Sequence, residues 1–336
     1  MSKLLRCLND KDYSCVPVWF MRQAGRYLPE FRELRSQNPD FLKLCLNSDL
    51  AAKITLQPMK RFNIDAAIIF SDILVIPHAL GQTINFKEIG GPRCTNLNVD
   101  KLLNTKEKDF ISILNPTYKT IKTTRNLIEK NKSLIAFVGA PWTLLIYLYN
   151  LKEKKNINSK ITIKNKEEFQ LVLTKLEDFL KIHILNQVNA GADVIQIFDS
   201  WAGLIEEKDL DEYCYKPNRN LVAFCRKNKI PSICFPKGLK DNYKQFVKKV
   251  NPDGVNIDKD ISPVWAKANI GNVCIQGGLD PELLLKSEKN ALDETERYLE
   301  VFKNNPYIFN LGHGILPNTN PNIVKKIVDK VNLIKR

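Results

Sequence analysis

Eight short, mostly apolar blocks recur along the chain, at residues 16–20, 66–70, 134–138, 194–198, 230–235, 254–257, 272–275 and 307–309. Each is short for a helix and apolar on consecutive positions, which is the pattern of a strand buried on both faces. The segments between them carry helical period: within 167–189, Phe169, Leu173, Leu176 and Leu180 recur at three or four residues. Strands alternating with helices imply a parallel sheet, and eight such units favour closure over an open sheet. The expected fold is α/β, a single (β/α)8 TIM barrel forming one domain over residues 1–336, with an active-site cleft at the C-terminal ends of the strands. A last helix is expected at about 321–335, with proline at its first position and lysines at its end.

A barrel places its chemistry at strand ends and in the loops that follow. After the first block comes Met21-Arg22-Gln23-Ala24-Gly25-Arg26-Tyr27, and after the second Ser71-Asp72-Ile73. The third is followed by Gly139-Ala140-Pro141-Trp142-Thr143, the fourth by Asp199-Ser200-Trp201-Ala202-Gly203, and the eighth by Asn310-Leu311-Gly312-His313-Gly314. Arg22 and Arg26 flank Gly25 in a loop that must turn before Pro29 opens a helix. Two guanidiniums there can grip carboxylates in bidentate geometry, or else be solvated and paired with acidic rim residues. Asp72 follows a buried strand, so its carboxylate either faces the barrel mouth as an acceptor for N–H donors or a developing positive charge, or caps the next turn. His313 lies between glycines that permit close backbone approach to a ligand. His78 and His183 read as structural. Tyr147, on the helix opened by Pro141, and Ser200 are hydrogen-bonding groups that local structure alone could explain.

Composition narrows the partners. No apolar run approaches the roughly 20 residues of a membrane span, and 44% hydrophobic with 26% charged residues suits a globular chain. The net charge of +14 would suit nucleic acid, an anionic surface or an acidic small substrate. Four of the 12 arginines fall between Arg22 and Arg35, whereas the 39 lysines are dispersed, many in Asn- and Ile-rich stretches such as 150–166. That dispersal argues against a nucleic-acid partner, which needs basic residues on one face with interleaved aromatics. Eight cysteines without a Cys-x-x-Cys pair, and an N-terminus lacking the apolar stretch of a secretory signal, give the expectation of reduced thiols and a cytoplasmic location. Gly-x-Gly-x-x-Gly, Walker and Gly-x-Ser-x-Gly motifs are absent, as is clustered metal-ligand spacing, so no cofactor and no metal are expected.

The run from Pro17 to Arg32, Pro-Val-Trp-Phe-Met-Arg-Gln-Ala-Gly-Arg-Tyr-Leu-Pro-Glu-Phe-Arg, closely resembles the signature of the uroporphyrinogen decarboxylases. Further similar runs are 66–74, 139–144, 198–203 and 310–315, so the likeness spans about residues 4–334. Gly278, where asparagine is common in the family, and Lys259, where tryptophan is common, are departures that bear on local loop shape. The resemblance implies cofactor-independent removal of CO2 from four acetate side chains of uroporphyrinogen III, giving coproporphyrinogen III in haem synthesis. It implies a substrate-binding set of Arg22, Gln23, Ala24, Gly25, Arg26, Asp72, Tyr147, Ser200 and His313, with Asp72 and Arg22 catalytic. Asp72 would face the pyrrole N–H groups, the arginine loop would grip carboxylates, and Tyr147, Ser200 and His313 would contact peripheral acids. A small-molecule partner, no membrane and a homodimer follow from the same resemblance. The nearest rival is a zinc-dependent methyl transferase on the same barrel, which would want thiol and histidine ligands at the rim; Ser232 and His313 stand where those would be expected.

Overall fold

The computed structural model describes residues 1–87, 91–151 and 165–334. Its strands are β1 Ala66–Ile68, β2 Ile84–Lys87, β3 Gly91–Cys94, β4 Ser133–Gly139, β5 Val194–Asp199, β6 Ser232–Pro236, β7 Gly254–Ile257, β8 Cys274–Gly277 and β9 Tyr307–Ile308. Seven of them form one curled sheet in the order β1-β4-β5-β6-β7-β8-β9, every neighbouring pair parallel. The antiparallel hairpin β2–β3 stands apart and was not anticipated, because its alternating, polar-containing strands do not resemble the barrel blocks.

Alternation along each strand divides the core in two. Ala67, Leu134, Ala136, Ile195, Cys234, Val255 and Ile275 point outward against the helices, while Ala66, Ile68, Ile135, Val194, Ile233, Phe235, Cys274 and Ile308 fill the interior. Burial on both faces is why the strands read as continuous apolar runs. Leu4, Cys7 and Leu8 of the helix Lys3–Asn9 pack onto the same interior and plug its N-terminal end. A polar layer crosses the interior, where Trp19 Nε1 donates to Gln276 Oε1 (3.0 Å) and Gln276 Nε2 donates to Gln196 Oε1 (3.1 Å) and Asn256 Oδ1 (2.8 Å).

The expected first strand, 16–20, is not one, and the barrel is not closed by a regular eight-stranded ladder. Val18 makes a single parallel bridge to Phe309. On its other side Val18 O accepts Asp65 N–H (2.8 Å), but Val18 N–H goes to the Asp65 side chain, Oδ2, at 3.0 Å. A carboxylate has replaced the next ladder carbonyl, and Pro17 has no N–H to give, so the pairing stops after one residue. The segment still occupies the gap between β9 and β1.

The helices anticipated around the blocks are present. Lys166–Asn189 buries Phe169, Leu173, Leu176 and Leu180, and Pro29–Gln37, Pro141–Leu148 and Pro321–Asn332 each open on proline. The surface connection expected at 150–166 lies mostly outside the described residues. All eight cysteines are free thiols, seven of them buried. Among the described residues no helix is long and apolar enough to cross a membrane.

Candidate active site

A cleft of about 560 Å3 opens at the C-terminal end of the strands. Its floor is the last inward-facing layer of the sheet: Phe137 of β4, Phe198 of β5 and Phe235 of β6, joined edge to face with centroids 5.5 Å and 6.5 Å apart, beside Ile68 and Met21. Four cations, Arg22, Arg26, Arg35 and Lys237, line it against one carboxylate, Asp72. Ser71, Tyr147, Ser200 and His313 supply the neutral polar lining, and Ala24 and Gly25 also line the cleft.

Arg22 sits at φ +60, a left-handed conformation that strains a non-glycine residue and is found where the surroundings over-determine it. The neighbouring loops supply those surroundings. Met21 N–H donates to Asn310 Oδ1 (3.1 Å), Ile315 N–H donates to Met21 O (2.9 Å), and Gln23 N–H closes a turn on Phe20 O (3.0 Å). Gly314 gives the Arg22 side chain its path, since a Cβ there would lie 2.6 Å from Arg22 Cγ. The glycines around His313 therefore make room for Arg22 and for the crossing of the loop after β7, rather than for the ligand directly. The guanidinium is open to the cleft yet enclosed by its walls, so desolvation pulls its pKa down despite Asp72 nearby. Among the described residues it has no hydrogen-bond or ion-pair partner.

Asp72 does two things at once. Its Oδ1 accepts Leu74 N–H (2.8 Å), forming the turn that the local alternative anticipated, while Oδ2 has no partner among the described residues. Desolvation raises its pKa to about 6, against the opposing pull of the Leu74 N–H and the Arg22 charge. His313 Nδ1 accepts Gly314 N–H (2.7 Å), which leaves the neutral ring's proton on Nε2. Burial first, then the Lys237, Arg22 and Lys259 charges, hold the His313 pKa near 3, so it is a neutral donor throughout the ordinary pH range. The Tyr147 ring stands edge-on to Trp201, centroids 6.4 Å apart, and burial raises its phenol pKa.

Gln23 is placed elsewhere. It is fully buried; its Oε1 accepts Phe20 N–H (3.0 Å) and its Nε2 donates to Ala66 O (3.1 Å), while its carbonyl accepts the Tyr27 hydroxyl (2.9 Å). It braces the arginine loop from behind and does not line the cleft, so the substrate contact expected of it gives way to a positioning role. Two cations escaped the sequence reading. Arg35 reaches the cleft from the helix beyond the loop, its guanidinium 5.6 Å from the Phe41 ring centroid, and Lys237 follows β6.

Two motif runs also meet behind the cleft wall. Thr143 Oγ1 donates to Asp199 Oδ1 (2.7 Å) and accepts Trp201 N–H (3.1 Å), and Trp142 Nε1 donates to Trp201 O (2.9 Å). Asn218 Nδ2 donates to the other Asp199 oxygen (3.1 Å). This lattice fixes Phe198 and Ser200, and the burial of Asp199 outweighs its donors enough to lift its pKa to about 6. Ser232, where a methyl transferase would carry a metal ligand, lies at the opposite end of β6 bonded to Asp253, and Cys234 is buried in the core. Among the described residues no three metal-ligating side chains converge.

A strand-end cleft with an aromatic floor, cationic walls and one desolvated carboxylate defines a barrel enzyme acting on a multiply anionic small molecule. The uroporphyrinogen decarboxylase (URO-D) family profile matches residues 1–333. Proteins named uroporphyrinogen decarboxylase from Roseobacter denitrificans and Rickettsia felis are 39% and 37% identical, covering 98% and 95% of this chain and 97% and 93% of their own. The chain belongs to the uroporphyrinogen decarboxylase family. Among solved structures, a methyltransferase from Methanosarcina mazei superposes with TM-score 0.79 over 98% of this chain and 97% of its own. At 19% identity that likeness concerns the fold alone.

Proposed function

We propose that the cleft binds uroporphyrinogen and that the enzyme removes CO2 from its four acetate side chains, giving coproporphyrinogen. The observation that carries this reading is the pairing of an apolar phenylalanine floor with four lining cations around one carboxylate. Such a site suits a ligand with an apolar macrocyclic body, a ring of peripheral acids and N–H donors at its centre.

Decarboxylation leaves an electron pair that needs a sink, and protonation of the pyrrole α-carbon provides one by making the ring a cation. Asp72 is the group suited to that cation and to the pyrrole N–H donors, because its Oδ2 is unengaged and above pH 6 it is ionised. The desolvated site strengthens that attraction relative to water. Arg22 and Arg26 hold peripheral carboxylates; a guanidinium stays protonated, so Arg22 orients rather than donates a proton. Ser200, Tyr147 and the His313 Nε2–H complete the set as neutral hydrogen-bonding groups, with Ala24 and Gly25 supplying close-approach surface. No cofactor is required by this chemistry. The family resemblance further supports one catalytic domain over 1–336, working in the cytoplasm as a homodimer and without a nucleic-acid partner.

Incubation with anaerobically reduced uroporphyrinogen, followed by a count of carboxylates on the product, tests the reaction. Loss of four is expected, unchanged after exhaustive chelation. Activity lost on chelation and restored by zinc would move the protein to metal-dependent methyl transfer.

A further inference from the structure

Lys237 follows β6 at the cleft's end of the strand and lines the cleft. Its backbone is fixed, the N–H donating to Asp199 O and Phe235 O at 3.1 Å each, so the side chain leaves from a rigid point. The side chain is only partly exposed, yet among the described residues its ammonium has neither a hydrogen-bond nor an ion-pair partner. The acid that acts on it most strongly, Asp258, is committed elsewhere: its Oδ2 accepts Gly238 N–H (2.7 Å) and the Tyr243 hydroxyl (3.3 Å), and its Oδ1 accepts Asp260 N–H (3.2 Å). Lys259, beside it, is engaged with Glu282 at 2.8 Å and Asp280 at 3.8 Å. The charged groups that Lys237 faces are Asp258, Asp260, Lys259 and Arg22. An enclosed ammonium without a counter-ion is costly unless something supplies one.

We propose that Lys237 is a substrate-binding residue which, with Arg22 and the Nε2–H of His313, forms a pocket for one peripheral carboxylate on the wall between β6 and the loop after β9. All three line the same cleft, the Arg22 side chain running against Gly314 beside His313, and the charges of both cations are felt at His313. A substrate carboxylate there receives two charges and one neutral donor, a set that discriminates an acid side chain from the methyl it becomes. Desolvation lowers the Lys237 pKa, the sign expected of an ammonium awaiting its counter-ion. The inference rests on the cleft being the uroporphyrinogen site.

The test is steady-state kinetics of Lys237→Gln and Lys237→Arg on uroporphyrinogen, with Lys248→Gln, which removes the same charge from the exposed far end of the barrel, as control. Lys237→Gln should raise KM roughly 30- to 100-fold with kcat changed less than about threefold, and Lys237→Arg should recover most of the loss. Lys248→Gln should match the wild type. Unchanged KM in Lys237→Gln overturns the inference, as does a fall in kcat alone, which would assign Lys237 to the proton-transfer step. If Lys237→Gln does not fold, Lys237→Met takes its place, and if neither folds the ammonium is structural and the inference fails. Arg22→Ala and Asp72→Asn run alongside: should they too leave turnover intact, it is the cleft reading that fails.

Discussion

Asp72→Asn keeps the size of the side chain and removes the one carboxylate among the described residues lining the cleft. Burial has lifted the Asp72 pKa from its ordinary 3.8 to about 6. A difference of about 2 in pKa corresponds to ~3 kcal/mol of preference for the neutral form. Asp72 is only half-buried, and water at the cleft mouth screens it, so about 1–3 kcal/mol is the expected range. Because the folded pKa lies above the unfolded one, the folded state binds the extra proton between about pH 4 and 6. The ionised carboxylate therefore costs stability above pH 6, and the cost vanishes below about pH 4. Asparagine retains an oxygen for Leu74 N–H, so the turn survives. In urea melts at pH 8 the variant should be more stable than wild type by about 1–3 kcal/mol, the gap closing as pH falls through 6. Turnover should fall about 10²–10³-fold with affinity little changed, the scale of one preorganised electrostatic group. A variant that is less stable and fully active would show Asp72 to be a turn residue and refute the electrostatic reading.

Gly314→Ala places a Cβ against the Arg22 side chain and should lower kcat/KM about 10- to 100-fold by displacing the guanidinium, with a melting temperature near wild type. A variant with normal kinetics would show that Arg22 has another route into the cleft. Thr143→Val removes a hydroxyl from buried Asp199 and from Trp201 N–H, and should cost about 1–3 kcal/mol in chemical denaturation. The pH profile of kcat/KM should fall below pH 6, as Asp72 protonates, and show no limb from His313, which stays neutral. His313→Gln, which retains an N–H donor, should accordingly keep more activity than His313→Ala, and equal losses would argue for a titrating imidazole.

Strand ends carry the legible part of the site because a barrel's connectivity sends the residue after each strand to one rim. Arg22, Arg26, Asp72, Ser200 and His313 stand at such ends, whereas Ala24, Gly25 and the helical Tyr147 are site residues by the family resemblance, and the structure brings all eight to one cleft. Gln23 was carried along by its neighbours in the motif, and nothing in its side-chain type distinguishes a loop brace from a ligand contact. Lys237 was obscured by 38 other lysines; only its position after Phe235-Pro236 marked it. Arg35 lies beyond the loop, nearly two turns into the helix Pro29–Gln37, and lines the cleft from there.

Two properties of the sequence determined the architecture by themselves. Short apolar runs on consecutive positions suit strands covered on both sides, and their alternation with 3.6-period segments leaves a parallel sheet wrapped by helices, although the run at 16–20 is buried with a single bridge and no ladder. What the sequence did not contain is pairwise: that the Asp65 carboxylate takes the Val18 N–H and so stops the first strand, that Thr143 and Asp199 lock two distant motifs together, and that desolvation leaves Asp72 poised near pH 6 and His313 neutral. Side-chain hydrogen bonds and desolvation depend on distance and enclosure, which are set when remote segments meet. Periodicity is a property of neighbours along the chain, whereas the electrostatics of this cleft belong to neighbours in space.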